Sequence, residues 1–430
     1  VKRLFLLLLG GCMQPGEFPT CVDRGEDLVF DTVPTWSDDV ATIVDEHCAS
    51  CHRVGGSAPF PIVTYADAAA FAPAIKASVV ERRMPPAGPT NCGECQSFTN
   101  APWLSPTEIA TIRAWVDGGL PAGTTEAPPE PEPLDATLPR VDQTLAMPAP
   151  YTPQGGSDDY RCFVVDAGLV DTTFLTGFSV QAGNPDVVHH VILYGLYARE
   201  HQELAAQLER RDQREGFECF GTSGIDDAPM LAAWAPGTPP VVYPEGTGVR
   251  LTPGMQLILQ VHYHLDEPEP EPDRSRIDLM LAPSVQNEAV LLPVGNWWFE
   301  LEPGQSSVSD TQVDLDFIGP IGEVELHAVA PHMHTRGRSM QVEVGLGAKR
   351  QCLLDVPEWD FEWQGLFFYE EPITVGGGAM LRISCTWDTW DADEVTTWGD
   401  GTDDEMCLAL FYVTGLPQNR VDAWYSSVVD

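Results

Sequence analysis

Apolar and polar positions follow two different rhythms along this chain. Between residues 35 and 123, apolar residues recur three and four apart, the spacing of one helical face. In TWSDDVATIVDEHCASCH, Ser37 stands where a helix N-cap belongs. YADAAAFAPAIKASVVERR makes a second helical run, stopped at Met84-Pro85-Pro86. SPTEIATIRAWVDGG makes a third. It opens with a Ser105/Glu108 capping box and Pro106 at the first helical position, and closes at Gly118-Gly119. Residues 35–123 are therefore expected to form a small all-α domain.

Past residue 140 the period shortens to two. VILYGLY, MQLILQVHYHL, SMQVEVGL, AMLRISCTW and CLALFYV are separated by Gly, Pro and Asp, which predicts β-sandwich architecture. The stretch is long for one sandwich, so two are expected, residues 140–283 and 284–430. REHQELAAQLERRDQREG reads as a helical insertion on the first. Residues 124–139, rich in Pro and Glu, read as a stiff, extended linker. At the other end, residues 1–12 carry two basic residues, a leucine run, two glycines and a cysteine, the layout of an export signal. They resemble a bacterial lipoprotein signal, which implies acylation at Cys12 and a mature chain beginning with an acidic tether, residues 13–34.

Composition narrows the setting. Formal net charge is −41, with 64 acidic residues against 23 basic, which opposes binding to nucleic acid or anionic lipid. No apolar stretch is long enough for a spanning helix, so the one expected membrane contact is a lipid on Cys12. Setting aside Cys12 and the two cysteines of CASCH leaves eight of the 11 cysteines, an even number suited to disulfides in an oxidising, extracytoplasmic compartment. Their pairing is open. For Cys92 and Cys95, in CGEC, a local structural disulfide is expected rather than a redox pair.

CASCH carries chemistry. Two thiols two residues apart can each add to a haem vinyl group, leaving the histidine that follows to face the iron. Cys48, Cys51 and His52 are thus candidates to hold one haem c, against a structural disulfide or a zinc half-site. Met84 is the candidate sixth ligand, against another residue or an open position. CASCHRVGGSAPF, then MPP, then a final helix ending RAWVDGGLP together resemble small class-I cytochromes c.

The histidines form a second constellation: His189-His190, then His262 and His264 in QVHYH, then His332 and His334 in PHMHT. On a strand His332 and His334 share a face and Met333 opposes them. Imidazoles with a late methionine, Met406, favour copper, because soft sulfur selects the cuprous ion. The order HH, QVHY, HxH, DEMC is similar to the copper type II, ascorbate-dependent monooxygenases, over residues 140 to 415. The resemblance implies two copper ions, one held by His189, His190 and His262, the other by His332, His334 and Met406. Adjacent His189 and His190 can serve one ion only if the strand bulges there. It also implies a Cys385–Cys407 bridge, and hydroxylation of a C–H bond of a small substrate with O2 at the methionine-bearing site. The fused haem is expected to pass electrons from an external donor. Peptide-amidating members grip a carboxylate where this chain has Ala330, Leu408 and Leu410, so an apolar or amine-type substrate is expected. The competing expectation is a copper- and haem-carrying electron-transfer lipoprotein without oxygenase activity. His47, His201, His264 and His327 are left outside the ligand sets.

Overall fold

The computed structural model describes residues 24–54, 56, 58–86, 88–123, 137–155, 158–236, 238–265, 270–314, 322–346, 349–361, 363–399, 401 and 404–426. The export-type segment with Cys12, most of the tether and linker residues 124–136 lie outside these.

The N-terminal part is helical. A turn over Trp36–Val40 runs into Ala41–His47, followed by Tyr65–Val80 and Pro106–Asp117. The first cap is Thr35 rather than Ser37: its side chain accepts from the Asp38 backbone, so the helix starts two residues earlier. Tyr65–Val80 also ends before the prolines, with Glu81 as its C-cap. The Ser105/Glu108 capping box forms as expected, with Pro106 inside the first turn. Trp36, Val40, Val44, Ala68, Ala72, Ile109, Ile112 and Trp115 bury one another in a core of their own. Residues at the end of the acidic tether pack on this core, with Arg113 donating to the Gly25 carbonyl.

The rest is mostly β, with helices at Arg199–Arg211, the expected insertion, and at Gln418–Ser426. A five-stranded sheet has the order Phe217–Glu218, Asp158–Asp166, Gln256–His264, Val188–Leu196, Met230–Trp234. A four-stranded sheet has the order Ser306–Asp314, Met380–Asp388, Gly337–Leu346, Lys349–Val356. Both pack on a nine-stranded sheet. Its main path runs Gln143–Ala146, Arg276–Ala282, Thr173–Gln181, Thr247–Leu251, Asn287–Gly295, Leu408–Thr414, Glu323–His332, Phe367–Gly376. Thr247–Leu251 and Asn287–Gly295 meet in a short parallel pairing, Asn287↔Thr247 to Ala289↔Val249. That pairing joins the two β halves into one sheet over one continuous apolar core.

Disulfides tie the layers. Cys162–Cys219 closes the first half and Cys385–Cys407 the second, the latter as the family resemblance implied. The local Cys92–Cys95 bridge does not form. Cys95 pairs instead with Cys352, 257 residues away, so the loop between the second and third helices is bonded to the far β half. The CGEC spacing alone does not tell a local bridge from a distant one, and packing decided for Cys95. Thr90 donates to the Asp355 carbonyl at 2.7 Å, and Gln96 donates to the Cys352 carbonyl at 2.6 Å. Asn100 is bonded to Leu366 and Phe368 backbone, and Phe98 stacks on Tyr369 with ring centroids 5.1 Å apart. Among the described residues no helix is long and apolar enough to cross a membrane.

Candidate metal centres

Strand Val188–Leu196 pairs with Gln256–His264 in antiparallel register, Val188↔Tyr263 and His190↔His262. The ladder register skips His189 between these two pairs. It is the extra residue of a β-bulge, which turns its side chain toward the face that His190 occupies. The bulge that two adjacent ligands require is therefore present. His190 Nδ1 lies 3.3 Å from His262 Nδ1 and 3.4 Å from His189 Nδ1. Nitrogens bound to one ion at about 2.0–2.1 Å stand roughly 3–3.5 Å apart, so this trio fits a single small cation.

The ring orientations follow from neighbours. His262 Nε2 is 2.9 Å from Asp158 Oδ1, an acceptor, so the hydrogen sits on Nε2 and the Nδ1 lone pair faces the cluster. Tyr160, the Cα partner of His262, stacks on it at 4.0 Å. His264 shares Asp158 but stays exposed and outside the trio. Burial, with the neighbouring imidazoles adding to it, holds His190 well below the usual histidine range. Burial lowers His262 too, although the Asp158 bond opposes it. Neutral imidazole is the metal-binding form.

The second cluster lies where Glu323–His332 meets Leu408–Thr414. His332 is the last residue of its strand, and His334 follows with its ring centroid 5.3 Å from that of His332. Met333 points into the core at 0% exposure. His332 Nδ1 donates to Gln364 Oε1 at 2.7 Å, and the Gln364 amide is oriented by its own bond to the Phe361 carbonyl. His334 Nδ1 donates to the Asp404 carbonyl at 3.1 Å. Both rings therefore keep Nε2 as the free lone pair. Burial brings His332 down to about 4, and lowers His334 against two backbone bonds that oppose it.

Met406 is tied to this region through its backbone, which shares the Glu405 carboxylate with His334. The pairing ends at His332↔Leu408, so His334 and Met406 each lie two residues beyond it, on the two segments that leave the same end of the ladder. The buried Glu405 carboxylate knots the two segments. It accepts from the backbone of His334 (3.0 Å), Arg336 (2.6 Å) and Met406 (3.2 Å), and from Trp387 Nε1 (2.9 Å). Burial pushes Glu405 up to about 7 despite those four bonds. The adjoining Cys385–Cys407 bridge fixes the strand on its other side.

Sequence reasoning did not single out Asp158, Gln364, Phe361 or Glu405. Glu405 was hidden in an acidic run, GDGTDDEM, of the kind that reads as solvated surface. The other three become neighbours of the histidines only through strand pairing and loop closure.

Two family models match this region. Residues 144–269 match the N-terminal domain, and residues 285–428 the C-terminal domain, of copper type II ascorbate-dependent monooxygenase. Between residues 144 and 428, the chain belongs to the copper type II ascorbate-dependent monooxygenases. It is similar to "DBH-like monooxygenase protein 1" of Gallus gallus, 26% identical over 258 residues, covering 54% of this chain and 40% of that one. It is 27% identical to "Dopamine beta-hydroxylase" of Rattus norvegicus over 274 residues, 56% of this chain and 43% of the relative. "Peptidyl-glycine alpha-amidating monooxygenase" of Mus musculus is 25% identical over 296 residues, 65% and 27% of the two chains. The chain thus spans less than half the length of these curated relatives.

The haem candidates lie at the end of Ala41–His47. Cys48 is its C-cap, and Cys48 and Cys51 are free thiols, whereas Cys92, Cys95, Cys162, Cys219, Cys352, Cys385 and Cys407 are all disulfide-bonded. Burial pushes the Cys48 thiol up to about 12. His52 Nδ1 donates to the Phe60 carbonyl at 2.9 Å, which leaves Nε2 as the free ring nitrogen. Met84 lies on the turn after Tyr65–Val80, 38% exposed.

Proposed function

We propose that the protein is a copper-dependent monooxygenase that hydroxylates a C–H bond of a small, apolar or amine-type substrate. The observation that carries this reading is the bulged histidine trio, with the His332/His334 pair reached through Phe361, in a chain of this family. His189, His190 and His262 would hold one copper through Nδ1, and His332, His334 and Met406 the other. Bound copper supplies one-electron redox chemistry and a place for O2. One oxygen atom enters the C–H bond and the other leaves as water, which takes two electrons and two protons from an external reductant. The protein's part is to keep the imidazoles neutral by burying them, to orient them through Asp158, Gln364, the Asp404 carbonyl and Glu405, and to present the substrate.

The surface beside His332 supports an apolar substrate. Cross-strand rows Pro293–Leu410–Ala330 and Gly295–Leu408–His332 run over the sheet. Leu408, Leu410 and Ala330 are half-buried and Pro293 is exposed, whereas Ala409 and Phe411 fill the core on the other face. No charged side chain stands in these rows to hold a carboxylate.

The helical unit, residues 35–123, is read as a cytochrome c domain whose haem c is attached at Cys48 and Cys51, with His52 as axial ligand and Met84 as the sixth. Its support is the pair of unbridged thiols in a disulfide-rich chain and the Phe60 carbonyl that leaves His52 Nε2 free. Haem held there would supply a one-electron relay. The Cys95–Cys352 bridge, with the Asn100 bonds to Leu366 and Phe368, keeps this unit against the strand that follows Gln364. The layout carried by this reading is a signal over 1–12 with a lipid on Cys12, a tether over 13–34, a linker over 124–139, and β domains over 140–283 and 284–430. The disulfides fit an extracytoplasmic location.

The test is metal and haem quantitation on purified protein, then incubation with a reductant, a small-molecule extract and 18O2. Two coppers, one haem and a product carrying one 18O atom are expected. Full metal content with no oxygen uptake would favour an electron-transfer role instead.

A further inference from the structure

Two strands of the second β half stand at sheet margins. Phe367–Gly376 ends the path of the nine-stranded sheet, and Lys349–Val356 ends that of the four-stranded one. The connection between them carries groups that hold the second histidine pair: Trp359 Nε1 donates to the His334 carbonyl at 3.1 Å, and Gln364 accepts from His332 Nδ1 at 2.7 Å. One segment of the helical unit, residues 90–100, grips both stems of this connection. At the first stem Thr90 N–H donates to the Asp355 carbonyl, Gln96 donates to the Cys352 carbonyl, and Cys95 is bridged to Cys352. At the second stem, residues 97–100 add to the sheet margin as a short antiparallel strand. Phe98 pairs with Tyr369, Thr99 N–H donates to the Phe368 carbonyl at 2.9 Å, and Glu370 N–H donates to the Ser97 carbonyl at 3.0 Å. The Asn100 side chain completes the grip, donating to the Leu366 carbonyl and accepting from Phe368 N–H, both at 2.8 Å.

We propose that Asn100 is a positioning residue for the His332/His334/Met406 centre: by clamping the 366–368 backbone it fixes Gln364, and through Gln364 the His332 ring. This rests on the two-copper reading. A marginal strand leaves backbone N–H and C=O groups open on one side, and the ends of such strands are where pairing frays. Gln364 lies just ahead of such an end, so its hold on an imidazole is only as firm as the backbone that follows it. A carboxamide has both donor and acceptor capacity, so Asn100 pairs with Leu366 and Phe368 as a further strand would. The gripping segment is itself braced. Asn91 exchanges two bonds with the Phe98 backbone, at 3.0 and 2.7 Å, and the Phe98 ring is buried against Tyr369. The helical unit thereby helps to build the second centre, whether or not it also carries electrons.

The experiment uses the full chain, first free of metal and then titrated with cupric ion against a chelator. In the nuclear magnetic resonance spectrum of metal-free protein labelled with 15N-histidine, wild type should show a His332 Nδ1–H signal that Gln364→Leu abolishes. Asn100→Ala should broaden or abolish the same signal, and should leave the His262 Nε2–H signal, held by Asp158, in place. In the titration Gln364→Leu should weaken the second site by roughly 10–100-fold. Asn100→Ala should weaken that site by a smaller factor and spare the histidine trio. The double variant should bind no worse than Gln364→Leu alone, because both changes act through one group. A wild-type His332 signal in Asn100→Ala, or losses that multiply in full in the double variant, would overturn the proposal. Fewer than two coppers in wild type would defeat the metal reading beneath it, and the ring-proton comparison, made without metal, tells that failure from a failure of the clamp. Should Asn100→Ala fail to fold, Asn100→Asp, which keeps the acceptor for Phe368 N–H and loses the donor to Leu366, takes its place with the same readouts.

Discussion

Glu405 offers the sharpest test of how the second centre is assembled. Its carboxylate is wholly buried and accepts four hydrogen bonds: backbone from His334, Arg336 and Met406, and the Trp387 indole. Glu405→Ala leaves four donors without an acceptor. A buried unsatisfied donor costs about 1–3 kcal/mol, and water admitted to the vacated space recovers part of that, so the loss should be on the order of 4–6 kcal/mol. Glu405→Gln is milder. With the amide oxygen where Oε2 now sits, three bonds survive, and the amide nitrogen faces the Arg336 N–H, donor against donor. That costs about 1–2 kcal/mol. For β units of this size each kcal/mol moves Tm by roughly 2–4 °C, so Gln should lower Tm by about 2–8 °C and Ala by more. Calorimetry gives the order, wild type above Gln above Ala. Copper titration should show loss confined to the His332/His334/Met406 site, because His334 and Met406 share the acceptor that is removed. A Glu405→Ala protein that melts with wild type and keeps both coppers would refute the reasoning.

Asp158→Ala removes the acceptor that orients His262, and should weaken copper at the histidine trio by roughly 10–100-fold in a chelator competition while sparing the other site. Gln364→Leu should do the converse, weakening the site that contains His332. The double change Cys95→Ser/Cys352→Ser opens a closure of 257 residues, and should cost about 2–5 kcal/mol and expose the 88–102 loop to limited proteolysis. His47 and Glu108 bond at 3.1 Å; burial opposes ionisation of Glu108, yet bonds from His47 and Ser105 carry it down to about 2, and the Glu108 bond raises His47. A lowered carboxyl stabilises above its ordinary 4.5 and fades as pH falls toward about 2, while a raised histidine stabilises below its ordinary 6.5 and fades as pH rises past it. Glu108→Gln, which preserves the capping box, should therefore lower helical stability by about 1 kcal/mol between those values and by less on either side, as followed by circular dichroism.

Much of this architecture was written in local pattern. The capping box at Ser105, the inserted helix near residue 200, and the alternating strands that end in histidines depend on neighbours a few residues apart, and a chain read in order contains them. The HH, QVHY, HxH and DEMC segments likewise announce a metal, since the residue types themselves carry the chemistry. What the linear text could not contain is adjacency between segments far apart in it. Cys95 sought Cys352 rather than Cys92 because docking of the loop, with Phe98 on Tyr369, brings those two sulfurs together. Glu405 became a buried anchor because strand register aims four donors at it, although its acidic neighbours suggested solvent. The bulge at His189 was required by the chemistry, but its occurrence belongs to the pairing with Gln256–His264. Phe361 came to lie between the two clusters only when a loop of one β half closed over the other. Periodicity decides which face a residue takes, and packing alone decides what that face meets.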